Sequence, residues 1–88
     1  MKKLAQVVEV EGEGVVKLLG EKVMVFCLNY IYAGTLAGVN SDNILLEDAS
    51  IVYETGELCA KSFKDAQPLP APIYVQMRCM ESFCKSER

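Results

Sequence analysis

The chain has no histidine, its four cysteines (Cys27, Cys59, Cys79, Cys84) contain no Cys-x-x-Cys pair, and basic residues are outnumbered by acidic ones. Without histidine or paired cysteines, nothing has the ligand spacing of a zinc site, and neither a metal nor another cofactor is expected. A nucleophile and base would have to be built from Cys or Ser with Lys, and no spacing suggests such a pair. Glu47 and Asp48 are adjacent, so on a strand they face opposite ways, which does not suit a two-carboxylate active site. An enzyme is therefore not expected. No apolar run approaches the roughly 20 residues of a membrane span. The basic start at Lys2 and Lys3 leads into a segment broken by Glu9, Glu11 and Glu13 instead of the unbroken apolar stretch of a secretory signal. These absences predict a soluble, cytoplasmic protein with reduced thiols, its cysteines serving as small, partly buried apolar residues. The net charge of −3 and pI near 4.9 exclude broad electrostatic adhesion to nucleic acid, which depends on Lys and Arg displacing counterions from phosphates. Any nucleic-acid contact has to be local.

What the chain does have is apolar residues, 51% of 88. That length allows one domain, and a domain this small buries a modest share of its surface. With disulfide and metal set aside, self-association is the remaining source of extra stability. Val15, Val16, Leu18 and Leu19 around Lys17 have the spacing of a short amphipathic helix between Gly14 and Gly20. Residues 4–10 fit neither helical spacing nor alternation. From Lys22 the pattern becomes β: Val23, Val25 and Cys27 alternate with Met24, Phe26 and Leu28, so both faces of the strand are apolar. The second face is expected to lie under the N-terminal helix or a neighbouring subunit. A second strand runs over residues 30–39, and Gly34 and Gly38 within it predict a sharp bend; no helix follows them, so they do not read as a phosphate loop.

Turn-forming Asn40, Ser41, Asp42 and Asn43 precede a third strand over 44–53, with Glu47 and Asp48 as a solvated rim or bend. Residues 54–72, with Pro68, Pro70 and Pro72, read as one long irregular connection, in which 58–63 suit a strand extension or a short helix. Ile73, Val75, Met77 and Cys79 alternate with Tyr74, Gln76, Arg78 and Met80 as a fourth strand, and a fifth lies around 81–84. The charged tail, 85–88, is expected to fray.

The segment Tyr32-Ala33-Gly34-Thr35-Leu36-Ala37-Gly38-Val39, followed by Asn43-Ile44-Leu45-Leu46-Glu47-Asp48-Ala49, resembles the first motif of the Sm-like (LSm) family. That motif has a bending glycine, a second glycine four residues on, and a hydrophobic run closing in Glu-Asp-Ala. Met77-Arg78-Cys79 is similar, more distantly, to the Ile-Arg-Gly of the second motif. The proline-containing loop resembles phage and bacterial members. The resemblance implies a single mostly β domain over residues 1–88: an SH3-like open five-stranded bent barrel at about 21–84, with a short N-terminal α-helix or arm at about 1–20. It also implies cyclic homo-oligomers of about five to seven copies, an arrangement that would satisfy the two open edges of such a barrel.

By the same resemblance, Asn40, Asn43 and Arg78 would hold short single-stranded RNA at the inner rim. An amide can read a base edge, and a guanidinium can stack on its face. The residues themselves leave alternatives open. Asn40 and Asn43 also suit a capped turn, Arg78 an ion pair with Glu81 or a neighbouring subunit. Tyr30, Tyr32, Tyr53 and Tyr74 suit half-buried sheet positions as well as stacking surfaces. Two readings follow, a ring that binds short RNA, U-rich or A-rich, and a structural or adaptor ring of phage origin that docks a protein partner without RNA.

Overall fold

A computed structural model describes residues 14–88; the expectations for residues 1–13 lie outside them. The elements are a 3-10 turn at Val15–Leu18, then strands β1 (Lys22–Cys27), β2 (Ile31–Val39), β3 (Asn43–Glu54), β4 (Asp65–Pro68), β5 (Ile73–Gln76), a second 3-10 turn at Met77–Cys79, and β6 (Met80–Lys85). All pairings are antiparallel, in the order β4-β3-β2-β1-β6, and β5 also pairs with β3. The sheet is not closed: β5 and β6 are not paired with each other. None of the described helices is long and apolar enough to cross a membrane.

Among the described residues six strands therefore stand where five were expected. The extra one, β4, lies inside the stretch read as irregular. It and β5 run along β3 in nearly one register, Pro68 opposite Ser50 and Ile73 opposite Leu46. They behave as one long strand interrupted at residues 69–72. Pro70 and Pro72 lack the N–H groups that a continuous ladder would need.

That interruption belongs to a crease crossing three strands. On β2 the register breaks between Ala33 and Thr35, at Gly34. On β3, facing that break, Asp48 takes φ 50°, a left-handed conformation uncommon for a side-chain-bearing residue. Residues 69–72 lie opposite the same part of β3, and the Leu69 N–H donates to the Ala49 carbonyl at 2.8 Å. The expectation of a bend at Glu47 and Asp48 holds. Gly34 is required by close approach, since a Cβ there would stand 2.9 Å from the Glu47 carbonyl oxygen. Gly38 is not pressed in this way: its Cβ would meet Leu45 Cβ at an ordinary 3.5 Å.

Bending wraps the main core around Val23, Val25, Leu36, Ile44, Leu46, Ala49 and Val75. The opposite face of β1 is also covered, as its apolar pattern demands, but by different means from those expected. Met24 packs with Ala33 and Val52, and Phe26, Ile31, Phe63 and Ala66 close over them, so part of the cover comes from the 55–64 connection and β4. The N-terminal helix of the expectation is, within the described residues, a four-residue 3-10 turn. Its Val15 and Leu18 pack on the main core, while Val16 and Leu19 stay exposed.

Two further expectations are corrected. The tail is not frayed: Ser86 is buried and its N–H donates to the Lys22 carbonyl at 2.8 Å. Arg88 Nη1 donates to the carbonyls of Thr55 at 2.8 Å, Glu57 at 3.3 Å and Ser62 at 3.3 Å, and the guanidinium lies 4.3 Å from the centre of the Phe63 ring. Backbone acceptors left over by an irregular loop hold the charge. The cysteines are not mainly buried filler either, because Cys59, Cys79 and Cys84 are exposed and only Cys27 is half-buried.

Candidate functional site

The turn between β2 and β3 places Asn40 and Asn43 side by side. The Asn40 N–H donates to the Asn43 carbonyl at 2.8 Å, and Asn40 Nδ2 donates to Asn43 Oδ1 at 2.8 Å. The turn-capping role is thus present. It leaves Asn40 Oδ1 as an acceptor and two Asn43 Nδ2 protons as donors, enough for one side chain of each kind to meet a base edge. The Met77 N–H donates to the Asp42 carbonyl at 2.8 Å, and Asn43 is the cross-strand partner of Gln76. These contacts fasten the Asn40–Asn43 turn to the start of the 3-10 turn that carries Arg78. Arg78, 35 residues beyond Asn43, is in this way held in one corner with the two asparagines.

Arg78 is exposed and lines a groove of about 750 Å³ whose wall includes neither Asn40 nor Asn43. No ion pair joins Arg78 to Glu81 among the described residues, although both line the groove.

The groove is lined by β5, the 3-10 turn after it, the first two residues of β6 and the turn between β1 and β2. Its wall is mostly apolar, from Cys27, Tyr32, Ile51, Leu69, Ile73 and Met80, with Arg78 and Glu81 as charged members. Around it Leu28 is 81% exposed, Tyr74 62% and Tyr30 49%. Tyr30 and Tyr32 stand with ring centres 6.1 Å apart, tilted by 53°, an arrangement that aromatic quadrupoles favour. Burial, reinforced by the neighbouring Cys79 thiol and the Glu81 carboxylate, pushes the Cys27 thiol above its ordinary value. Burial likewise raises the Tyr32 phenol, helped by Cys27, Tyr30 and Cys79. Near neutral pH the floor of the groove is therefore uncharged.

Two of the elements that contribute to the groove, β5 and the start of β6, belong to half-used strands. Within the described residues β5 pairs only with β3, and β6 only with β1. Among the described residues each leaves one edge of N–H and C=O groups without a strand partner. The sequence signalled open edges only through the resemblance. The sequence suits Tyr74 to either a half-buried position or a stacking surface, and the structure leaves it exposed; alternation puts Leu28 on a covered strand face, but β1 ends at Cys27 and Leu28 lies exposed just beyond it.

Fold and site together define a small, creased, open antiparallel-sheet protein with an apolar seam beside two half-paired strands and a polar corner at one end. No protein-family model matches the chain, and a search of curated proteins finds no relative.

Proposed function

We propose that the chain is a subunit of a homo-oligomeric ring of the Sm-like type that holds short single-stranded RNA at the corner formed by Asn40, Asn43 and Arg78. One observation carries the assembly: an apolar groove with strongly exposed Leu28 and Tyr74 lies beside two strands that, among the described residues, each pair on one edge only. Contiguous exposed apolar surface of this kind marks an interface in soluble proteins, and a second copy supplies both the missing strand and the missing cover. The RNA role is supported by the Met77 to Asp42 hydrogen bond, which fixes the amide pair and the arginine turn next to each other. The amides supply hydrogen bonds to a base edge, and Arg78 supplies a cation and a flat stacking face.

Light scattering tests the assembly directly. A monomeric mass at tens of micromolar (about 10⁻⁵ M, a range in which weak complexes still form) overturns it. Fluorescence anisotropy with labelled U-rich and A-rich oligonucleotides at low salt then tests the ligand: binding weakened by Arg78→Ala supports it, and no binding by a verified assembly overturns it.

A second reading has its own support. No aromatic stands in the Asn40–Asn43 turn to stack a base, and exposed Asp42, Glu47 and Asp48 repel phosphate. These features favour a structural or adaptor ring that docks a protein partner through the connection between β3 and β5. Assembly without RNA binding selects that reading.

A further inference from the structure

Cys59 and Cys84, 25 residues apart in sequence, line the same groove of about 300 Å³ on the side of the sheet away from the main core. Cys84 on β6 is the cross-strand partner of Met24 on β1, so both side chains belong to one face. This face is the one that Phe63 and the 55–64 connection cover. Within that connection the Ala60 N–H donates to the Glu57 carbonyl at 3.0 Å, making a tight turn with Cys59 inside it. Leu58 and Ala60 flank it on the groove wall beside Met24 and Phe26.

The turn is held there by a second, independent contact. Arg88, three residues beyond β6, donates to the carbonyls of Thr55, Glu57 and Ser62, tying the loop that carries Cys59 to the chain that carries Cys84. Both thiols are exposed, so a small solute reaches them without unfolding.

We propose that Cys59 and Cys84 form a dithiol site that reacts with a low-molecular-weight disulfide of the glutathione class and closes to an intramolecular disulfide. The thiolate of one cysteine attacks a sulfur of the small disulfide, forming a mixed disulfide and displacing one small thiolate. The second cysteine, as thiolate, attacks the protein sulfur of that adduct and displaces the other small thiolate. The two protons from the protein thiols end on the two released thiols. One protein dithiol is oxidised and one small disulfide is reduced. The product pins the connection to β6, in addition to the Arg88 contacts. Closure needs the two Cα atoms to come within about 7 Å of each other. The inference is independent of ring assembly and of RNA binding.

The test uses the reduced full chain, incubated with oxidised glutathione, blocked with an alkylating agent and mapped by peptide mass spectrometry. The expected result is a peptide pair linked through Cys59 and Cys84, with an upward shift of the thermal midpoint that a reductant reverses. In Cys59→Ser, Cys84 is expected to stop at the glutathione adduct. In Arg88→Ala, the link is expected to form several-fold more slowly, with adduct accumulating in its place. Separate adducts on both cysteines without a link, or a link between two chains, would overturn the site. Equal closure rates with and without Arg88 would overturn the clamp as the device that brings the thiols together.

Discussion

At Gly34 a methyl group would stand 2.9 Å from the Glu47 carbonyl oxygen and 3.1 Å from Ala49 Cα, both backbone atoms that cannot swing aside. Gly34→Ala is therefore expected to cost about 1–3 kcal/mol, as overpacking does, read as a lower urea midpoint at unchanged slope. Gly38→Ala, with only ordinary contacts, is expected to cost less. The need for a bend was legible in these two glycines. Which of them is indispensable was not, because that depends on what the partner strand brings opposite. Asp48 shows the same limit: the Glu47–Asp48 pair signalled a rim or bend, but the left-handed φ that Asp48 adopts goes with its position facing the register break at Gly34, a tertiary fact. Titration gives a second expectation at this scale. Cys27 and Tyr32 are both raised above their ordinary values of 9.0 and 10.0, so the unfolded chain releases these protons first. Stability present below about pH 9 should fall as the pH climbs through the folded values, because there the native state binds more protons than the unfolded one. Urea midpoints measured between pH 7 and 11 check the direction, and Cys27→Ala should flatten the first part of the decline.

Among the elements, the strands with clear alternation or β-branched runs were legible to within a residue or two: residues 22–28 became Lys22–Cys27, 30–39 became Ile31–Val39, and 44–53 became Asn43–Glu54. Asp65–Pro68 was not. Asp, Ala, Gln and Pro carry no strand preference, and the segment is extended because β3 continues past the crease and offers Ser50, Ile51 and Val52 as partners. The doubly apolar pattern of β1 correctly announced two covered faces, but pattern alone could not identify Phe63 and its connection as part of the second cover. The C-terminal arginine illustrates why charge is a poor guide to disorder. A loop with few internal hydrogen bonds has carbonyls to offer, and a guanidinium satisfies several at once. Arg88→Ala is expected to lower stability by about 1–2 kcal/mol, less than a fully buried charged hydrogen bond because the site is half open to water. Limited proteolysis should then cut within residues 55–63 sooner than in the parent protein.

For the whole molecule, the proposed assembly rests on the seam beside β5 and β6, so its test should leave the fold intact. Leu28→Glu and Tyr74→Glu place charges on residues already 81% and 62% exposed, where they add little strain to the subunit. The circular dichroism spectrum should be unchanged while the scattering mass falls toward that of one chain. Asn43→Ala should instead leave the mass unaltered and weaken oligonucleotide binding by about 1 kcal/mol, the worth of one hydrogen bond. Of the candidate site, the pairing of Asn40 with Asn43 was legible because turn chemistry is local. The nearness of Arg78 came only from resemblance, since the backbone contact that creates it spans 35 residues, from Asp42 to Met77.

The pairing of β1 with β6 also governs when the molecule can form. On the ribosome, Lys22–Cys27 emerges early but must wait for Met80–Lys85 before its second flank is zipped. Vectorial synthesis can thus complete the β2–β3 hairpin well ahead of the rest, while β1 remains half-bonded and vulnerable to chaperones or aggregation partners. A nascent chain stalled before residue 80 would be such a trapped species, and releasing the stall should let the last strand finish the job.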